Sequence, residues 1–247
     1  MKKTHAETFS IRGTECDAFC RWRLDAMFLN MQEVGEAHAK ELGVGYNAML
    51  SRGYFFALTR THISVFKAPV AGQVITHITW PGESNRFFCP RFHAFRAEDG
   101  TLLAAAGSLW VILDMEKRTI VSPLKVDLCF PDNSDLTPPI ALPSRMPVML
   151  ENARHTERTP VYSEFDVNRH MNNTKYIAWL CDALGRQTLS NAYIGDLVCG
   201  YEKEIREEKP YDVAIAQNGD AFTFCVSSEA GKHFVAGGTL SKEVSHE

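Results

Sequence analysis

The chain contains no window of about 18 apolar residues, the least that crosses a bilayer as a helix. Nor does an apolar stretch follow the two lysines of its start, MKKTHAETFS. It is therefore read as a soluble protein that is not exported. No CxxC pair occurs: the seven cysteines are an odd set without metal-ligand spacing, as reduced thiols of a cytoplasm would be. Charge imbalance is slight, a formal net charge of -4, which gives no global pull toward nucleic acid. The NNT at Asn172 lacks the secretory context that would make it a glycosylation site. What remains is ordinary globular material: 247 residues, 45% hydrophobic and 23% charged, enough for a large core in one or two domains of roughly 100 to 150 residues.

Proline is unevenly spread. Five of the eleven lie in PDNSDLTPPIALPSRMP, residues 131–147, and such a stretch after a strand-like run reads as a linker. The expected division is a first domain over 1–130, a linker over 131–150 and a second domain over 151–247. In the first, Leu24, Met27, Phe28, Met31, Val34, His38 and Leu42 recur at helical intervals and stop at Gly43. Strand-like runs follow: ALTRTHISVFK, QVITHITW, RFFCPRFHAFRA and LLAAAGSLWVILD. In the second, Tyr176, Ile177, Leu180, Ala183 and Leu184 form a like stripe ending at Gly185, before LVCGYEKEIR, YDVAIAQ, AFTFCVSS and HFVAGGTLS.

Just ahead of the second helix stands SEFDVNRHMNN, with Asp166, Asn168 and His170 at alternate positions. In an extended strand they would share a face, but the outer two would lie about 13 Å apart. The segment is therefore expected to curl, gathering the three beside the backbone N–H groups of the helix's first turn. A helix start of this kind suits an oxyanion. His170 can act as base or acid near neutral pH, Asp166 can orient it or activate water, and Asn168 can donate a hydrogen bond. Plainer roles compete. Asn172 or Asn173 suits a helix cap; His38, His62, His77 and His93 suit structural roles; Met27, Phe28, Met31 and Trp110 suit the core. Lys117, Arg118, Arg169, Lys175 and Arg186 suit a solvated surface.

Because the order of elements repeats, the halves can be aligned on their helix ends, Gly43 on Gly185. Asp166 then faces Leu24, Asn168 faces Ala26 and His170 faces Phe28, while Glu204 falls opposite Val65. The expectation is an α+β protein in which a helix wrapped by antiparallel sheet occurs twice, a tandem hotdog fold with its polar set in the second half.

FDVNRHMNNTKYIAWL resembles the D-x-N-x-H-x-N-N-x-K-Y signature of the acyl-acyl carrier protein thioesterases of plant plastids and bacteria. ALTRTHISVFKAPVAGQVITHITW and GSLWVILDMEKRTIVSP resemble that family's first-half pattern in the right order. The resemblance implies hydrolysis of fatty acyl thioesters on acyl carrier protein in the cytoplasm, with no metal or cofactor. Asp166, Asn168, His170 and Glu204 would be catalytic, and Met27, Phe28 and Met31 would lie along the acyl chain. Where plant members have a cysteine after the glutamate, this chain has Ile205, which argues against a cysteine nucleophile. Acyl-coenzyme A hydrolysis, or acyl binding without turnover, is the alternative. The oligomeric state, a homodimer included, stays open.

Overall fold

The computed structural model describes residues 3–128 and 130–242. The chain divides into two compact units, one of Met1–Trp22 and Met27–Pro143, the other of Arg23–Ala26 and Ser144–Glu247. Residues 131–150 carry no helix or strand.

The first unit contains β1 (His5–Ser10), α1 (Leu24–Glu41), α2 (Tyr46–Ser51), β2 (Tyr54–Val65), β3 (Val74–Pro81), β4 (Cys89–Ala97), β5 (Leu102–Asp114) and the short β6 (Ile120–Val121). Its strands run antiparallel in the order β1-β3-β4-β5-β2, with β6 on β5. The apolar stripe foreseen for α1 is its buried face: Met27, Phe28, Met31, Val34 and His38 are all buried. β4 alternates less than a one-sided strand would, because Cys89 through Phe95 are buried on both faces.

The second unit has β7 (Arg154–Arg158), α3 (Asn173–Leu184), α4 (Arg186–Ser190), β8 (Ala192–Tyr201), β9 (Tyr211–Asn218), β10 (Ala221–Ser228) and β11 (Gly231–Lys242). Its order is β7-β9-β10-β11-β8. Matching β7 to β1, β8 to β2 and so on gives the order of the first unit, so the repeat is real at the level of topology. α3 buries Tyr176, Ile177, Trp179 and Leu180; the Tyr176 ring stacks on Phe234 of β11 at 5.0 Å. Gly185 ends it at φ 83°, ψ 158°, a conformation open in practice to glycine alone.

The alignment on helix ends is wrong. α1 is 18 residues long and α3 only 12, so the helices correspond from their starts. Leu24 then matches Asn173, and Asp17 matches Asp166. Three strands escaped the sequence reading: the two-residue β6, and β1 and β7, which are polar sheet edges; RHTER in β7 is almost wholly exposed, as suits an edge that must not recruit another strand. The run LVCGYEKEIR is only half a strand. β8 ends at Tyr201, and residues 202–210 leave the sheet because the charges of EKEIREEKP cannot be buried in it. Glu204 is therefore on an irregular segment and not on a strand.

Candidate active site

The stretch before α3 does curl. After a single 3₁₀ turn, Tyr162–Glu164, Phe165 and Met171 pair as an isolated antiparallel bridge and enclose the loop between them. Asp166 N–H donates to the His170 carbonyl at 3.0 Å, and Arg169 N–H returns to the Asp166 carbonyl at 2.9 Å. Arg169 takes φ 60° to close the turn, a cost the surrounding bonds must hold. Asp166 Oδ1 receives Asn168 N–H at 2.8 Å and Oδ2 receives Asn172 Nδ2 at 3.3 Å.

Asn172 is the helix cap: its Oδ1 accepts Thr174 N–H at 2.9 Å and the Thr174 hydroxyl at 2.8 Å. Lys175 N–H goes to the Asn172 carbonyl at 2.9 Å. The expected supply of spare N–H groups is thus narrower than foreseen, because two of the first-turn donors already serve the cap. Buried Glu164 ties the loop to α3, accepting Trp179 Nε1–H at 2.7 Å and Val161 N–H at 3.0 Å.

His170 stands between two carboxylates. Its Nδ1 is 3.8 Å from Asp166 Oδ1 and its Nε2 is 3.9 Å from Glu204 Oε1. The His170 side chain is 18% exposed, Asp166 19% and Glu204 38%, so the group opens to solvent on the glutamate side. Asn168 is exposed in the same loop, tied to Asp166 by its main-chain N–H. Glu204 is brought there from 34 residues away in sequence by one main-chain bond, Met171 N–H to the Ile205 carbonyl at 2.8 Å, with Ile205 fully buried as the anchor. Arg206, which the sequence reading did not single out, holds Glu204 Oε2 through Nε at 2.9 Å and through its Nη2. The signal was available: E-x-R in an extended segment puts both side chains on one face.

The first unit repeats this loop with other side chains. Cys16 and Trp22 form the bridge, Asp17 N–H donates to the Arg21 carbonyl at 2.8 Å, Phe19 N–H meets Asp17 Oδ1 at 2.8 Å, and Cys20 has φ 63°. Trp22 N–H bonds the Pro69 carbonyl at 2.8 Å as Met171 bonds Ile205. Asp17, Phe19, Arg21 and Ala68 therefore hold the places of Asp166, Asn168, His170 and Glu204. Leu24, Ala26, Phe28 and Val65 do not.

Of Met27, Phe28 and Met31, all buried, Met31 lines a cavity of about 110 Å³ within the first unit, together with Gly35, Phe56, Trp110 and Phe130. Arg91 is also on its wall. His77 and His93 are buried structural histidines: His77 Nε2 contacts His93 Nδ1 at 2.9 Å and His77 Nδ1 meets Asn30 Oδ1 at 2.7 Å. Burial, then Arg91, pulls His77 down to about 3. Among the described residues no group of three or more His, Cys, Asp or Glu side chains is arranged to hold a metal, and no helix is long and apolar enough to cross a membrane.

Residues 2–128 match the acyl-ACP thioesterase N-terminal domain and residues 149–239 the acyl-ACP thioesterase C-terminal domain. The chain belongs to the acyl-ACP thioesterase family. It is 29% identical over 214 residues to the chloroplastic palmitoyl-acyl carrier protein thioesterase of Gossypium hirsutum, covering 81% of this chain and 51% of that one; the chain thus spans about half the length of this relative. In fold it is similar to an acyl-ACP thioesterase from Bacteroides thetaiotaomicron, TM-score 0.87 at 19% identity over 97% of this chain and 98% of that one. The 12:0-ACP thioesterase from Umbellularia californica gives 0.84 at 20%, over 98% and 99%. These likenesses establish the α+β hotdog fold.

Proposed function

We propose that this protein hydrolyses the thioester of a fatty acyl group borne on acyl carrier protein and releases the free fatty acid. The observation that carries the reading is His170 set between Asp166 and Glu204, 3.8 Å and 3.9 Å away. Water held by His170 and Glu204 attacks the carbonyl carbon and gives up a proton to that pair. The oxyanion is met by donors of the loop and helix start, the Asn168 side chain and the first N–H of α3. On collapse the C–S bond breaks, and the proton returns through His170 to the leaving thiolate.

Direct attack by Asp166 is the less favoured route, since both its oxygens already receive hydrogen bonds that shape the loop. Asp166 acts instead by orienting the imidazole. No cofactor enters the scheme. The first unit, with Arg21 in place of His170 and Ala68 in place of Glu204, is assigned to the acyl chain; of Met27, Phe28 and Met31 it is Met31 that meets the cavity, beside Gly35 and Ala39 of the same helix. The cytoplasm is the compartment assigned, in keeping with seven cysteines that show neither CxxC pairs nor metal-ligand spacing. No residue from a second copy is needed, so a homodimer is a separate matter for light scattering.

Purified protein assayed against acyl carrier protein and coenzyme A thioesters of graded chain length tests the proposal. Faster release of fatty acid from the carrier protein esters supports it. Preference for coenzyme A esters at every length would make it an acyl-coenzyme A thioesterase, and no release from either would leave a binding protein.

A further inference from the structure

The hairpin between β10 and β11 contains an irregularity that the scheme above does not use. Val226 pairs with Phe234, yet Ser227 pairs with Lys232, so His233 is the extra residue of a β-bulge. Bulges re-aim one side chain and recur beside active sites. His233 is 6% exposed, and its ring has specific neighbours. Nε2 lies 2.8 Å from Ser228 Oγ, and the Tyr211 ring meets it edge-on at 5.0 Å. Ser228 Oγ already accepts Ala230 N–H at 3.2 Å, so its own proton is assigned to Nε2 and the ring proton to Nδ1. Nδ1 is buried and makes no hydrogen bond of full strength, although the backbone of Lys203 and Glu204 is close enough to act on the ring. The groups facing the ring are the backbone of Lys203 and Glu204, and, as charges, Lys203 and Lys209. Burial is the main cause holding its pKa below the ordinary imidazole value, so the ring stays neutral and keeps one N–H to give.

The main chain of the same residue grips the same segment. The His233 carbonyl accepts Glu202 N–H at 2.8 Å and Lys203 N–H at 3.2 Å, and Lys203 Nζ reaches the Ala230 carbonyl at the hairpin tip. Next in line come Glu204, whose Oε1 faces His170, and Ile205, whose carbonyl fixes Met171. In the first unit Leu103 supplies the corresponding carbonyl to Phe66 and Lys67, and an apolar side chain stands where the histidine is. The buried imidazole therefore accompanies the half with the polar set.

We propose that His233 is a positioning residue for Glu204: from its bulge, oriented by Ser228, it aims Nδ1–H at the main chain of Lys203 and Glu204 and so sets where the Glu204 carboxylate lies relative to His170. This rests on the reading of Glu204 as catalytic. Small misplacements of a reacting group cost up to about a hundredfold, and a positioning residue should account for a part of that.

The test is a cycle of His233→Leu, His233→Asn and Ser228→Ala, with Glu204→Ala alone and combined with His233→Leu, all judged folded by thermal melting. His233→Leu should lower kcat about ten- to thirtyfold with KM changed less than about twofold. His233→Asn, whose amide can donate from near the Nδ1 position, should recover most of the rate. Ser228→Ala, which leaves the ring in place but unoriented, should lose about three- to fivefold. In the Glu204→Ala background His233→Leu should cost nothing more. Unchanged kcat in His233→Leu, an Asn variant as slow as the Leu variant, or losses that multiply in the double variant would each overturn the proposal. Full activity of Glu204→Ala alone would instead overturn the role of Glu204.

Discussion

Asp17 and Asp166 close the same turn in the two halves of the chain: each stands seven residues before its helix and donates its N–H to the carbonyl four residues on, at 2.8 Å and 3.0 Å. Their partners differ. Arg21 gives Nε and Nη2 to Asp17 Oδ2 at 3.0 Å and 2.8 Å and is buried; His170 stays 3.8 Å from Asp166 and half-open. A permanently charged guanidinium locked to its carboxylate cannot take up a proton, whereas an imidazole near one can.

From this follows that placing a histidine in the first loop will not create a second site. Arg21→His in a His170→Ala background should show no gain in hydrolysis, because Ala68 supplies no carboxylate. It should also destabilise the fold by about 1 to 3 kcal/mol, as Asp17 loses its buried partner. Recovery of even one hundredth of wild-type turnover would show that the first loop can run the chemistry.

For the second loop, His170→Ala and Asp166→Asn should each lower turnover by about two to four orders of magnitude. Asparagine keeps the acceptor for Asn168 N–H, so the loop and the melting temperature should change little. Single turnover in ¹⁸O-water should put label in the first fatty acid released. Unlabelled first product with label in the Asp166 peptide would show attack by the aspartate.

Bulk in the cavity of the first unit should govern chain length. A buried methylene is worth about 0.8 kcal/mol, so Met31→Ala should move the optimum toward longer chains while the rate on the best substrate stays within about threefold. A profile that drops in height but keeps its shape would place the acyl chain elsewhere.

The loop's polar set, the two long helices α1 and α3 and most strands were legible because each rests on a local pattern: apolar residues at three and four residue spacing around Val34 or Leu180, or the short side chains packed between Asp166 and Asn172. What could not be read was long-range. Glu204 reaches His170 through one bond from Met171 to Ile205, and no periodicity signals that. The repeat was misregistered because glycine stops are easy to see, yet α1 outruns α3 by nearly two turns. The starts, marked by Asp17 and Asp166, carry the true register. The edge strands β1 and β7 lack the apolar alternation by which strands are recognised, since their outward faces meet water.

No cysteine should prove catalytic. Cys89 is buried, and its thiol is pushed up to about 11; burial raises Cys225 as well. Such thiols are poor nucleophiles at neutral pH. Alkylating reagents should therefore leave activity in protein whose labelled sites, mapped by mass spectrometry, are replaced by serine. A serine variant that itself loses turnover by a hundredfold while folded would contradict this.

Acid should unfold the protein in a particular window. His77 takes up a proton near pH 6.5 in the unfolded chain but only near pH 3 when folded. Between those values the unfolded state binds more protons, so stability falls as pH falls, by about 1.4 kcal/mol per pH unit for this one group. Buried His93 is shifted the same way. Urea midpoints should fall between pH 6.5 and pH 4 and fall less steeply in His77→Asn. A midpoint independent of pH over that range would rule out the buried neutral pair.

The central claim is that His170, with Asp166 and Glu204 beside it, cleaves a fatty acyl thioester on acyl carrier protein. Its most direct measurement is fatty acid released by pure protein from one acyl carrier protein thioester, followed by mass spectrometry for wild type, His170→Ala and Glu204→Gln. Steady release by the wild type, falling at least a hundredfold in both folded variants, is the predicted result. Release that persists unchanged in the two variants, or is absent from the wild type, would contradict it.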